Sequence, residues 1–445
     1  MKKLISLCSL SGALFFLLHN TALAASSAPD DHFKAYATLG ILFVAAILFF
    51  SEIIPLPVTA MLVPVFLSLF DILPASAAFA NFGNKWVVIF MAMFIVGEST
   101  FITGFAEKIG QATIKLSKGS EIRLLILAMC SVGVLSAFLS NTGTTVVAIP
   151  MILGMCASAN ISPSKILMPV AFAASLGGTM TLVGTPPNGL VNSVLEKMGP
   201  AGIEPFGFFE FAKIGAILFV VGILYYVFIG HKFLPENSAD VEAQEVIKPS
   251  RPEKMWWSLL IFFFVVCAMA TKMMPLVTAA MLGACLVIIT GCITMEEAYR
   301  SVDWTTIFLF AGMLSMSTAM KSSGAAQLIA DTVVQHVESP YMLLAVVCAV
   351  TAMVTNFMSN TATAALMAPL AIPIAISGGV SPLPLVMGIA MSASACFLTP
   401  VATPPNTIVL GPGRYSFLQY VKAGWPLQVI SFVVIVVTVP MLFPF

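Results

Sequence analysis

Ser140-Asn141-Thr142 and Ser359-Asn360-Thr361 are two copies of one triplet. Each is followed by Thr-Pro-Pro-Asn, at Thr185-Pro186-Pro187-Asn188 and Thr403-Pro404-Pro405-Asn406. The triplets lie 219 residues apart and the proline motifs 218. Both motifs set polar, helix-interrupting residues into otherwise apolar sequence. In lipid every backbone polar group must be satisfied within the protein, so an interrupted helix is costly there. Paired interruptions at matching positions of two halves point to a binding site between repeats.

Composition makes the membrane setting plain. Hydrophobic residues are 59% of the chain and charged residues 9%, against about 25% charged in a soluble domain. The 445 residues accommodate roughly a dozen helices of about 20 residues. Net charge is zero, and no nucleic-acid partner is expected. None of the eight cysteines forms a CxxC pair, so they read as small packing residues. The four histidines lie outside the apolar runs, which argues against a histidine metal site or proton relay. Lys2 and Lys3, the apolar run Leu4 to Leu18 and Ala22-Leu23-Ala24 make residues 1–24 read as a secretory signal. An uncleaved first anchor helix is the alternative.

A polar stretch from His231 to Lys254 divides the chain. It sets the boundaries of repeat 1 (36–232), a linker (233–255) and repeat 2 (256–443). Pro57-Val58-Thr59-Ala60-Met61-Leu62 echoes Leu276-Val277-Thr278-Ala279-Ala280-Met281-Leu282, and Pro150 matches Pro369. The loop at 106–123 carries Lys108, Lys115, Lys118 and Arg123, whereas its counterpart at 321–341 carries Lys321 with Asp331 and Glu338. The positive-inside rule puts the first loop and the linker in the cytoplasm and the second loop outside. The halves are therefore expected to be inverted, with the C-terminus external. The span count closes only if 124–159 and 342–377 are re-entrant hairpins with the Ser-Asn-Thr triplets at their tips. The fold expected is an all-α polytopic membrane protein, an inverted-repeat transporter with two hairpins and two broken helices.

Hairpin tips expose helix N-termini, which favour anions, together with hydroxyl and amide oxygens that suit a hard cation such as Na⁺. Pro-Pro cannot continue a regular helix, so 164–192 and 382–410 should break near mid-membrane. The plainer reading is that Ser and Thr pack between helices and Pro kinks them. It leaves the doubled register of both motifs unaccounted for. Neither motif holds Lys or Arg, and a dianion in a neutral buried pocket needs cations brought with it.

These paired motifs resemble those of the divalent anion:sodium symporter family, over nearly the whole chain beyond the signal segment. The resemblance implies a homodimer in which an elevator-like transport domain moves against a scaffold. It implies a first Na⁺ site at Ser136, Ser140, Asn141 and Gly184, and a second at Thr355, Met358, Asn360 and Ala402. Substrate carboxylates would meet Ser140, Asn141, Thr142, Ser359, Asn360 and Thr361, with Thr185 and Pro404 lining the pocket. The function expected is import of small divalent anions, C4-dicarboxylates foremost, with two or more Na⁺ ions as coupling cofactor. The setting expected is a bacterial plasma membrane. The alternatives are a sodium-independent dicarboxylate exchanger, a sulfate transporter and a cation/proton antiporter. The antiporter would need titratable pocket carboxylates. Glu98 and Glu52 are the acids within the apolar runs, and they read as boundary or paired residues. No nucleophile with its base, metal cluster or Walker motif marks an enzyme or an ATP-driven pump.

The inversion has a direct test. Cysteines introduced as Lys115→Cys and Gln335→Cys are expected to react with an impermeant thiol reagent from opposite membrane faces. Labelling of both from one face refutes it.

Overall fold

The computed structural model describes residues 30–117, 120–159, 161–236, 250–334 and 339–445. The signal-like segment 1–24 and the linker centre, 237–249, lie outside them. The described residues are helical, with no strand among them. Before the linker come α1 (Asp30–Ser51), α2 (Leu56–Leu69), α3 (Ala75–Ala78), α4 (Lys85–Ile102), α5 (Phe105–Ser117), α6 (Glu121–Ser136), α7 (Asn141–Ala159), α8 (Leu167–Gly178), α9 (Pro186–Met198) and α10 (Ala212–Phe228). After it come α11 (Met255–Ala270), α12 (Leu276–Ile289), α13 (Met295–Ser301), α14 (Trp304–Ser322), α15 (Ala325–Val334), α16 (Pro340–Val354), α17 (Asn360–Ser377), α18 (Leu383–Ser394), α19 (Pro404–Leu410) and α20 (Phe417–Leu442). The order of long and short helices is the same in both series.

Packing between the series is reciprocal. α2 packs on α14 while α12 packs on α4, and α9 packs on α17 while α19 packs on α7. α10 packs on its own counterpart, α20. Such exchanged contacts describe two units related by an approximate dyad. Close approach depends on glycine at one of these contacts. A Cβ at Gly312 of α14 would lie 2.1 Å from the Ala60 carbonyl oxygen of α2.

The centre is built from the helices that do not run through. Every residue of α8 is buried, as are Pro384 to Ser394 of α18. A helix apolar on all sides belongs in a core or in lipid. Phe172 of α8 meets Phe397, beyond the end of α18, at 5.0 Å between ring centroids. The outer helices carry the opposite signature. Trp425, Val429, Val433, Val437 and Met441 recur every four residues on α20 and are all more than half exposed. An apolar stripe of this kind is what a lipid-facing helix presents. Among the described residues, five helical stretches, including Phe33–Ser51, Pro252–Ala270 and Phe417–Leu442, are long and apolar enough to cross a membrane.

The structure departs from the sequence reading in two places. The stretches 106–123 and 321–341, expected as loops, contain α5 and α15. Each buries one narrow face, Ala106, Gly110 and Thr113 in α5 and Ala325, Ala326 and Ala330 in α15. Charge counting passed over that helical spacing. The prolines of each Thr-Pro-Pro-Asn also do not interrupt a helix from within. They open α9 and α19, where a missing N–H costs nothing, and each break lies just before them.

Gly312→Ala is expected to lower the thermal midpoint of the detergent-purified protein, because the added methyl meets backbone that cannot rotate away. Overpacking of this sort costs about 1–3 kcal/mol. Gly40→Ala, where a Cβ meets nothing within 4 Å, should leave the midpoint unchanged or higher.

Candidate functional site

Each Ser-Asn-Thr triplet sits where one helix ends and the next begins. α6 stops at Ser136 and α7 starts at Asn141; α16 stops at Val354 and α17 starts at Asn360. The serine caps the new helix. Ser140 Oγ accepts from the Gly143 N–H at 3.4 Å, and Ser359 Oγ accepts from the Ala362 N–H at 3.2 Å. Such caps satisfy amide groups that the first turn leaves unpaired. The asparagine is held from behind. Ser136 Oγ donates to Asn141 Oδ1 at 2.6 Å, and Thr355 Oγ1 donates to Asn360 Oδ1 at 2.9 Å.

The two breaks, 179–185 and 395–403, are stitched by matching side chains. Thr181 Oγ1 donates to the Ala137 carbonyl, and Thr399 Oγ1 donates to the Asn356 carbonyl at 2.6 Å. Each threonine thus ties a break to the neighbouring hairpin turn. The asparagines of the proline motifs recover the lost carbonyls. Asn188 Nδ2 donates to Thr181 O at 2.8 Å and Thr179 O at 3.4 Å; Asn406 Nδ2 donates to Thr399 O at 3.1 Å and Cys396 O at 3.2 Å. Both asparagines are fully buried. Thr185 and Thr403 are extended, at φ −140° with ψ 139° and 151°, as a residue before proline must be. The second break has an extra brace. Gln428 of α20 accepts from Phe397 N–H and donates to Ala395 O, while Asn356 Oδ1 accepts from Leu398 N–H.

The structure brings the expected residues together. Ser140, Asn141, Thr142, Gly184, Thr185, Ser359, Asn360, Thr361, Ala402 and Pro404 line one cavity of about 270 Å³. That is near the lower end for small-molecule sites, roughly 300–1,000 Å³. Ser136, Thr355 and Met358 are not in its wall. Ser136 and Thr355 stand behind the asparagines, and Met358 is buried beside the tip. Thr305, Thr306 and Asp303, at the start of α14, also line it, and much of the remaining lining is apolar, including Phe90, Met93, Phe94, Phe138 and Leu309. The N-termini of α7, α9 and α17 all meet here, and α19 begins beside them. No Lys or Arg is among the described residues that line it. Carbonyls converge at its edge: a Cβ on Gly184 would lie 2.5 Å from Gly178 O and 2.6 Å from Ala137 O. Glycine at 184 therefore lets two peptide oxygens come close, ligands of the kind a hard cation takes, one of which also accepts from Thr181.

A vestibule of about 540 Å³ adjoins the cavity and shares Ser140, Thr142, Asp303 and Pro404 with it. Glu98, Glu297 and Arg300 line the vestibule and not the inner cavity. Glu98 thus shares the vestibule, though not the inner cavity, with Ser140 and Thr142, and Glu52 is exposed just beyond α1. Arg251, at the linker's end, grips Glu297 in a two-pronged ion pair of 2.8 and 3.2 Å. The hydrogen bond from Arg251 holds the Glu297 carboxyl down at about 2. The pair's contribution is therefore present above the ordinary carboxylate range, near pH 4, and is lost as pH falls toward 2. On the opposite side α9 is tied down. Lys85 pairs with Glu196 at 2.6 Å, Trp86 Nε1 donates to Glu196 at 3.0 Å, and Lys197 Nζ donates to Asn81 Oδ1.

Packed helices with two interrupted pairs converging on a cavity that holds no cationic side chain among the described residues are the build of a transporter. The profile of the citrate transporter family (CitMHS) matches residues 46–375 and 316–445, and the chain belongs to this family of integral membrane transporters. The uncharacterized transporter YfbS of Escherichia coli (strain K12) is 27% identical, covering 92% of this chain and 99% of that protein. The sodium-dependent dicarboxylate transporter SdcS of Staphylococcus aureus (strain USA300) is 26% identical, covering 97% and 90%. Among solved structures, the YdaH transporter of Alcanivorax borkumensis superposes with a TM-score of 0.64 at 14% identity, over 85% of this chain and 87% of that one. The efflux pump MtrF of Neisseria gonorrhoeae gives 0.59, also at 14%, over 84% and 83%. These two likenesses concern the fold alone.

The asparagines that close the motifs escape a reading that stops at the prolines, although their 218-residue spacing was in plain view. Asn188→Ala and Asn406→Ala each leave two buried carbonyls unpaired, at about 1–3 kcal/mol apiece. Both variants are expected to show a lower thermal midpoint and a loss of transport greater than the fall in folded protein.

Proposed function

We propose that the protein imports small dianions together with sodium, C4-dicarboxylates such as succinate being the substrate class that fits best. One observation carries this reading: the N-termini of three long helices meet in a cavity without a cationic side chain. Helix N-termini carry about half a positive charge each; α7 and α17 also offer N–H groups, whereas α9 opens on Pro186-Pro187 and contributes its dipole alone. That is too little for a dianion held away from water. Cations at Asn141 with Gly184, and at Asn360 with Ala402, would supply the rest. Ser136 and Thr355 orient the two amides from behind. The carboxylates then lie against Ser140, Asn141 and Thr142 on one side and Ser359, Asn360 and Thr361 on the other, with Thr185 and Pro404 between. Two sodium ions with one dianion cross without net charge. The name of the SdcS relative supports both sodium and the dicarboxylate.

The repeats are read as inverted, with 124–159 and 342–377 entering from opposite faces and the linker in the cytoplasm of a bacterial plasma membrane. The Arg251–Glu297 pair at the linker's end flanks the vestibule, so this conformation opens inward. Outward opening requires α9 to leave α4, which breaks the contacts of Glu196 and Lys197. An elevator-type displacement of the hairpins and broken helices, within a homodimer, accounts for such a movement. Exchange without sodium, or proton coupling, would call for a fixed cation or a titratable carboxylate among the triplets. The cavity wall offers Asp303 alone, and both its oxygens accept from Thr305 and Thr306 at the start of α14.

Purified protein in liposomes is expected to take up labelled succinate when sodium is outside, and not when choline replaces it. Equal uptake in both contradicts sodium coupling. Asn141→Ala and Asn360→Ala are each expected to reduce uptake at least about 100-fold while the protein still elutes as a single assembled species. Normal sodium dependence in either variant removes that residue from the coupling site.

A further inference from the structure

The two half-sites match residue for residue, and at one position they differ in a way that bears on both asparagines. Residue 178 corresponds to residue 396, counting back from the proline motifs. In the first copy this is Gly178. A Cβ there would lie 2.5 Å from Asn141 Oδ1 and 3.0 Å from its Nδ2. The amide of Asn141 therefore rests against bare backbone, and no side chain can be accommodated between them. In the second copy the residue is Cys396, which is fully buried. Its Sγ lies 3.3 Å from Asn360 Oδ1 and 3.6 Å from Ser394 O.

The donors behind the asparagines differ as well. Ser136 Oγ is directed at Asn141 Oδ1. Thr355 Oγ1 lies 2.9 Å from Asn360 Oδ1 but 2.5 Å from Ala393 O, and a hydroxyl has only one proton to give. Thr355 therefore shares that proton between the two acceptors, and the thiol of Cys396 is a second donor facing Asn360. An amide oxygen has two lone pairs. Asn141 Oδ1 accepts from Ser136 alone among the described side chains, which leaves one of its lone pairs open. At Asn360 both are faced by donors.

We propose that Cys396 is a positioning residue that makes the two cation half-sites unequal. Its S–H occupies a lone pair of Asn360 Oδ1, and a cation arriving there must displace it. The first half-site fills at lower sodium, and the second sets the sodium concentration that half-saturates transport. This rests on the sodium-coupled reading above and adds to it an order of filling and the residue responsible.

The test is the sodium dependence of succinate uptake in liposomes by wild type, Cys396→Ala and Cys396→Ser, with the thermal midpoint of each measured without sodium. Cys396→Ala removes the competing donor and is expected to lower half-saturating sodium by about threefold. Cys396→Ser restores a donor and should return the value to that of wild type or above. An Ala curve that superimposes on wild type, or a Ser variant that behaves like Ala, overturns the role of Cys396. Should Cys396→Ala prove unfolded, a Ser variant with half-saturating sodium below wild type overturns it as well. Sodium-independent uptake by wild type itself would instead remove the coupled-transport reading.

Discussion

A backbone that leaves its helix within a membrane protein must find new partners for each peptide group it frees. That requirement governs this structure. The breaks at 179–185 and 395–403 persist because Asn188 and Asn406 recover the freed carbonyls and Thr181 and Thr399 anchor each break to a hairpin turn. The serines of the triplets do the same for amide groups at the hairpins. Once those groups are satisfied, helix ends and carbonyls are left pointing into a common space. The site is what remains of the polar backbone after the internal accounts are settled.

Charge then follows from geometry. A cavity that sets hydroxyls, amides and helix N-termini into an apolar lining, with Asp303 as its charged side chain among the described residues, cannot neutralise two negative charges. Peptide oxygens at Gly184 and the amide oxygens of the two asparagines favour a cation in the same place. On the proposed reading, anion and cation are bound by one set of residues, and each would raise the affinity for the other. The charged residues Glu98, Glu297 and Arg300 line the vestibule and not the inner cavity.

Much of the fold was legible in the sequence, because the repeat is preserved at short polar motifs that both breaks and both hairpin turns need. Both triplets, both proline motifs and the helix pairs flanking them fall where the duplication puts them. What stayed hidden was of two kinds. α5 and α15 were concealed because each is short and flanked by charged residues, so charge was read before helical spacing. The wiring behind the tips was concealed because single residues such as Asn356, Cys396 and Gln428 carry no pattern. Their roles come from partners up to 72 residues away in the chain. The difference between Gly178 and Cys396 is visible in the sequence only once the breaks have been aligned.

The central claim is that anion and sodium bind together, and equilibrium binding tests it without the complications of transport. Succinate affinity of the purified protein would be measured by calorimetry across a sodium series at constant ionic strength. With two ions bound alongside the anion, the succinate Kd is predicted to fall about 100-fold per tenfold rise in sodium while the cation sites are unsaturated. A Kd that is the same in sodium and in choline would contradict the account.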